Sequence, residues 1–160
     1  RHGAESQPIH GGPMRYESDH WYHYNDGIMR NGLMVATWAL TDAGPNDGGF
    51  VCVPGSHKTN FIDRLPKTVQ HQELMPEYVR QPIVKAGDVI LFTEALMHGT
   101  RAWHGDHERR VLLFKYSPPH SSWAKQGYDL ADYPDATEQQ RRLMAPPSVE
   151  DHAKVAGDKS

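Results

Sequence analysis

Apolar positions along this chain fall in short runs cut by turn residues, a pattern of strands rather than helices. The longest run covers residues 33–40 and is bounded by Gly32 on one side and by Gly44 and Pro45 on the other. It reads as a buried strand. A turn at Asn46, Asp47, Gly48 and Gly49 leads into a second strand over 50–53, which Pro54 and Gly55 stop. Further strands are expected over 82–84, over 89–92 after the Gly87-Asp88 turn, and over 111–116 before Pro118. Upstream, Ile9 and His10 end a short strand ahead of Gly11, Gly12 and Pro13. Residues 13–27 read as a long loop or irregular hairpin, with a strong turn signal at Asn25-Asp26-Gly27. Residues 57–80 form an excursion with weak helical content near 69–74. Residues 137–144 read as a short helix with Thr137 at its start, followed by a loose tail from Pro146. Short strands separated by Gly, Pro, Asn and Asp turns predict a β-sandwich or barrel.

Composition narrows the function classes. The 160 residues carry a net charge of −3, and their Lys and Arg are scattered, which leaves no electrostatic footprint for nucleic acid. No apolar run approaches the roughly 20 residues that a membrane-spanning helix needs. The one cysteine, Cys52, excludes an internal disulfide and fits a reducing, cytoplasmic location. Eleven histidines are many for this length and raise the expectation of metal chemistry. The opening residues Arg1, His2, Gly3 and Ala4 read as the middle of a domain. The expectation is therefore that residues 1–125 are the C-terminal portion of a larger domain whose N-terminal part is missing. Residues 126–160 would be an extension with a short helix and a loose tail.

Two positions stand out for chemistry. His98 follows the 89–92 strand after a short link and precedes Gly99 and Thr100. A histidine there can offer its imidazole to a metal, although a lone histidine is more often a packed residue with a backbone partner. Arg109 and Arg110 open the last strand, and alternation allows only one of them to face inward. An inward arginine needs an anion, best a carboxylate held by two parallel bonds. The alternative is that both are edge charges paired with Asp106 or Glu108.

The stretch from Gly48 to Lys58 resembles the GG-x-x-x-x-PGSHK signature of the phytanoyl-CoA dioxygenase family. The segment from Gly87 to Phe92 with His98, Gly99 and Thr100 is similar to that family's GD-strand-HG[ST] element, and Arg109 falls at the family's spacing beyond it. The resemblance implies a mainly β, double-stranded β-helix fold, a jelly-roll of the cupin type with a few short helices. It implies iron(II) and 2-oxoglutarate as cofactor and co-substrate, and molecular oxygen and a small molecule as substrates. It further implies His98 as the distal metal ligand, His10 as the upstream one, Arg109 as the grip on the far carboxylate of 2-oxoglutarate, and Thr100 as a nearby hydroxyl. Trp38 stands on a strand where relatives line the co-substrate pocket, and it reads equally well as a core residue. Ser56, His57 and Lys58 are expected to shape a loop outside the barrel.

One position departs from the family pattern. The family carries a His-x-Asp pair, and here Gly12 stands two residues after His10. Three readings follow. A two-histidine site could leave a vertex open, as in halogenases of this superfamily. A carboxylate could come from Asp19, Asp26 or Glu94. The site could also be degenerate, leaving a non-catalytic binding module. A metal enzyme that does not use 2-oxoglutarate is a further alternative, separated by the role of Arg109. The aromatic residues Tyr16, Trp21, Tyr22 and Tyr24 line a substrate pocket or pack a loop, and His104 and His107 read as a polar loop. The leading expectation is an oxygenase that hydroxylates an unidentified small organic molecule.

Overall fold

The computed structural model describes residues 3–11, 20–59, 65–118, 120–121 and 128–146. Among the described residues, eight strands form in the first unit, residues 1–116. They are β1 (Gln7–His10), β2 (Tyr22–Asn25), β3 (Ile28–Asn31), β4 (Met34–Ala39), β5 (Gly49–Cys52), β6 (Val89–Thr93), β7 (His98–Arg101) and β8 (Val111–Tyr116). One three-stranded antiparallel sheet has the order β1-β7-β5, a second has the order β6-β4-β8, and β2 and β3 make a separate hairpin. The hairpin turn places Asp26 and Gly27 at positive φ, 52° and 78°. That is the two-residue turn an Asp-Gly pair favours, because its twist matches the twist of the strands.

Alternation decides what each sheet buries. Val35, Thr37 and Ala39 of β4 pair with Phe92 and Ile90 of β6 and with Lys115 and Val111 of β8, so these side chains share one face. That face meets Phe50 of β5: the Phe50 and Phe92 rings lie 4.9 Å apart. Behind the β1-β7-β5 sheet, Ile9, Val51 and Met97 pack with Val69 and Val79 into the main hydrophobic cluster. Val69 lies on α1 (Lys67–Gln70), one turn long and shorter than the helical stretch expected near 69–74. Hydrophobic weight thus backs the sheet, and the space between the two sheets is left for chemistry.

Another expectation changes. Residues 82–84 make only an isolated bridge, Ala43 to Val84, because Pro82 has no N–H to give to a ladder. His98, beyond the link that follows β6, begins β7, which pairs with β1 and β5 on its two sides. In the second unit, residues 117–160, α2 (Glu138–Met144) starts at a reciprocal cap between Thr137 and Gln140, and Arg141 binds back to the Ala136 carbonyl. No helix among the described residues is long and apolar enough to cross a membrane.

A close backbone approach holds β1 in place. A Cβ on Gly11, whose φ is 101°, would lie 2.4 Å from the Leu96 carbonyl oxygen and 2.9 Å from that of Glu94. Gly27 also has positive φ, but with open space around it. Gly11→Ala is therefore expected to cost at least about 2 kcal/mol more in chemical denaturation than Gly27→Ala, which carries only the backbone strain. Equal losses for the two variants would remove the steric constraint assigned to Gly11.

Candidate metal centre

β1 and β7 set His10 directly opposite His98. Opposed residues of an antiparallel pair project from the same face, so both imidazoles enter the space between the sheets. β1 carries one extra residue between Gln7 and His10, a bulge that re-aims its end. The two rings stand 4.5 Å apart, centroid to centroid.

Each ring is oriented by its own backbone. His10 Nδ1 donates to the Pro8 carbonyl at 2.8 Å, and His98 Nδ1 donates to the Leu96 carbonyl at 2.7 Å. A carbonyl can only accept, so each Nδ1 carries the proton and each Nε2 keeps its lone pair. Backbone-tethered Nδ1 with a free Nε2 is the arrangement of a metal-binding histidine. Phe92 and Phe50 pack on the His98 ring at 4.6 and 6.1 Å. Burial in these apolar surroundings pushes the His98 pKa down; the Leu96 hydrogen bond opposes this shift without reversing it. The neutral form, the one that can ligate, is the favoured one.

Glu94 completes the neighbourhood. It is only 3% exposed. Its Oε2 lies 3.8 Å from His98 Nε2 and 4.0 Å from His20 Nε2, and its Oε1 lies 2.6 Å from Lys115 Nζ. Oε1 is a buried oxygen held in an ion pair with Lys115 rather than by a hydrogen bond. Among the described residues, no three His, Cys, Asp or Glu side chains already converge so as to hold a metal. The donor types nevertheless fit a divalent transition ion: two imidazoles with free Nε2 atoms and a buried carboxylate oxygen beside them.

Arg109 lies just before β8 and lines a narrow cavity between the sheets with Thr37, Ala39, Phe50, Ile90 and Val111. It passes over Gly49, where a Cβ would sit 3.1 Å from its Nε; the missing side chain is what lets the guanidinium in. Burial lowers its pKa, and no described carboxylate pairs with it, so the arginine is a desolvated cation in need of an anion. Arg110 points outward to Glu108 at 2.7 Å. Thr100 sits on the same face of β7 as His98, two residues on. The cavity is small, about 10 Å³, so a dicarboxylate requires the side chains around Arg109 to move apart.

Trp38 is not brought to this set. Its neighbours Thr37 and Ala39 face the interior, so Trp38 projects from the opposite face of β4 and is 44% exposed. Trp38 thus stands apart from His10, His98 and Arg109 in this arrangement. Asp26 sits at the tip of the exposed β2–β3 turn. Gly12, Asp19 and Tyr16 lie outside the described residues. Ser56 is buried and its hydroxyl accepts from the Met97 amide at 2.8 Å, which ties the 56–58 turn to the strand bearing His98. The His57 ring packs edge-on to Tyr22 at 4.6 Å. His107 accepts the Trp103 indole N–H through its carbonyl and pairs with Asp106, a loop-building role. One face of the β2–β3 hairpin, with Trp21, His23, Asn25, Ile28 and Arg30, lines an open cleft of about 400 Å³. His20 and Lys115 were not singled out by the sequence; tertiary structure brings them to Glu94, Lys115 through the β6-β4-β8 sheet.

The sequence model of the phytanoyl-CoA dioxygenase (PhyH) family matches residues 2–111. Among solved structures, HygX from Streptomyces hygroscopicus with nickel and 2-oxoglutarate bound is 30% identical, with a TM-score of 0.63 over 74% of this chain and 52% of that one. HygX with iron bound is 31% identical, with a TM-score of 0.61 over 74% and 55%. AviO1 from Streptomyces viridochromogenes Tue57, at 23% identity and a TM-score of 0.56 over 77% and 48%, shares the fold. The chain spans about half the length of these proteins. No curated protein sequence matches it.

The depressed pKa of His98 has a stability consequence. Its imidazole titrates near 6.5 in the unfolded chain and lower in the folded one, so the folded state loses stability as pH falls from about 6.5 through the folded value. Melting temperatures taken from pH 7.5 down to 5 are expected to fall less steeply for His98→Gln than for the parent chain. Parallel slopes would show that His98 is not buried in neutral form.

Proposed function

The chain belongs to the phytanoyl-CoA dioxygenase family, and from that premise we propose that it is an Fe(II)- and 2-oxoglutarate-dependent oxygenase that hydroxylates a small organic molecule. The observation that carries this reading is the facing pair His10 and His98, each with Nδ1 tied to a backbone carbonyl and Nε2 free. These two nitrogens would hold the iron. When bound, iron supplies the oxidising chemistry that couples decarboxylation of 2-oxoglutarate to oxygen insertion into a C–H bond.

The protein's own residues bind, orient and keep out water. Arg109 offers a desolvated guanidinium to the far carboxylate of 2-oxoglutarate, and two parallel N–H bonds would fix its direction. Thr100, on the His98 face of β7, would add a hydroxyl. Phe50 and Phe92 pack on His98, and such apolar surroundings strengthen charged contacts beside it. The cleft on the hairpin face, with one tryptophan and several hydrogen-bonding side chains, suits a polar small molecule that stacks one apolar surface. HygX has been solved with nickel, 2-oxoglutarate and hygromycin B bound, a small-molecule ligand in a relative of the same family.

An anaerobic titration with Fe(II) and 2-oxoglutarate is expected to produce a visible metal-to-ligand charge-transfer band. Arg109→Ala is expected to raise the half-saturating 2-oxoglutarate concentration by about 100-fold, the scale of losing a buried charged pair, and His98→Ala to abolish the band. A band that survives unchanged in Arg109→Ala would refute the co-substrate assignment, and no band with the parent chain would refute the oxygenase reading.

A further inference from the structure

We propose that Glu94 is the carboxylate ligand of the metal site, supplied from the turn between β6 and β7 in place of the acid absent at Gly12. The proposal rests on the metal-binding reading of His10 and His98 and adds to it the third protein donor.

A buried carboxylate is costly to keep ionised, by several kcal/mol, unless it is compensated on both oxygens. Glu94 has one close cation, Lys115. Oε1 faces Lys115 Nζ at 2.6 Å. Oε2 faces the Nε2 atoms of His98 and His20 at 3.8 and 4.0 Å. His98 Nε2 carries a lone pair, because its proton is on Nδ1 and is given to Leu96. Two lone-pair donors thus lie 3.8 Å apart, too far for a hydrogen bond. Donors each about 2.1 Å from a shared ion stand roughly 3.0–3.4 Å apart at octahedral or tetrahedral angles, so a modest inward turn of the carboxylate brings this pair to ligand spacing.

The backbone supports the same assignment. A Cβ on Gly11 would lie 2.9 Å from the Glu94 carbonyl, so the residue after His10 rests on the turn that carries Glu94. His10, Glu94 and His98 are therefore fixed to one another by main-chain contact and by strand pairing. Of the other acids the sequence offered, Asp26 is spent on the exposed hairpin turn. Lys115 would hold Oε1 while Oε2 ligates, the outer partner that ligating carboxylates commonly have. Closing the set requires the carboxylate to turn towards the two imidazoles as the ion enters, since no three donors converge beforehand among the described residues.

The test is anaerobic Co(II) binding by the full chain, followed by calorimetry and by the visible d–d spectrum, for the parent, Glu94→Ala, Glu94→Gln and Asp19→Ala. Circular dichroism checks that each is folded. Glu94→Ala is expected to weaken Co(II) binding by about 100-fold or more, above the range for an outer partner, and added formate to restore part of the affinity. Asp19→Ala is expected to bind within about threefold of the parent on the same scale. Should Glu94→Ala fail to fold, Glu94→Gln keeps the side-chain volume and takes its place in the same comparison. Parent-like affinity in the Glu94 variants overturns the proposal, as does a loss in Asp19→Ala alone. A loss that formate cannot restore in folded Glu94→Ala overturns it too, by showing a structural role. Failure of the parent to bind Co(II) removes the metal-site reading itself, a different outcome from any of these.

Discussion

Contact between the Gly11 backbone and the turn at residues 94–96 is the constraint on which the rest of the site depends. It is a main-chain fit, with glycine the one residue that leaves room for the Leu96 and Glu94 carbonyls. Because it lies one residue beyond His10, it fixes the end of β1 against the turn from which His98 departs. The facing of the two histidines, the tethering of their Nδ1 atoms and the proximity of Glu94 all follow from where that contact puts the backbone. Side-chain packing then has only to hold rings that are already aimed.

The charges of the site are arranged by burial. Most of the hydrophobic cluster lies behind the β1-β7-β5 sheet, around Val51 and Val69. The space in front of the sheet holds Phe50, Phe92 and Ile90 together with the two imidazoles and the charged side chains of Glu94, Lys115 and Arg109. Around such apolar walls, a cation without a partner is strongly biased to accept one, and Arg109 is in that state. Lys115 is occupied by Glu94. The two basic residues, both from the β8 region, thus divide the work, one compensating a protein carboxylate and the other free to take an anion from outside.

Much of this was legible in the sequence. The apolar runs at β4, β5, β6 and β8 carry their own strand signal, and the ordered motifs around Gly48, Gly87 and His98 point to the family. β7 was not legible, because His98, Gly99, Thr100 and Arg101 are polar or small; it is a strand through its two neighbours. Trp38 shows the limit of reading a strand apolar on both faces: the run over 33–40 announces burial without saying which alternate set faces inward. Glu94 was one of three candidate acids, and nothing local distinguishes it. Its standing comes from Lys115 and His20, residues far away in the chain that only tertiary structure brings near.

The extra residue in β1 has an evolutionary corollary. His10 faces the interior only because three steps of β1 are matched to two of β7 between the Gln7–Thr100 and His10–His98 pairs. Removing that residue would restore regular pairing and turn the imidazole to the opposite side of the sheet, while every side chain remained chemically intact. The segment from Gln7 to His10 can thus drift in composition but not in length, and a single-codon deletion there would be more damaging than most substitutions.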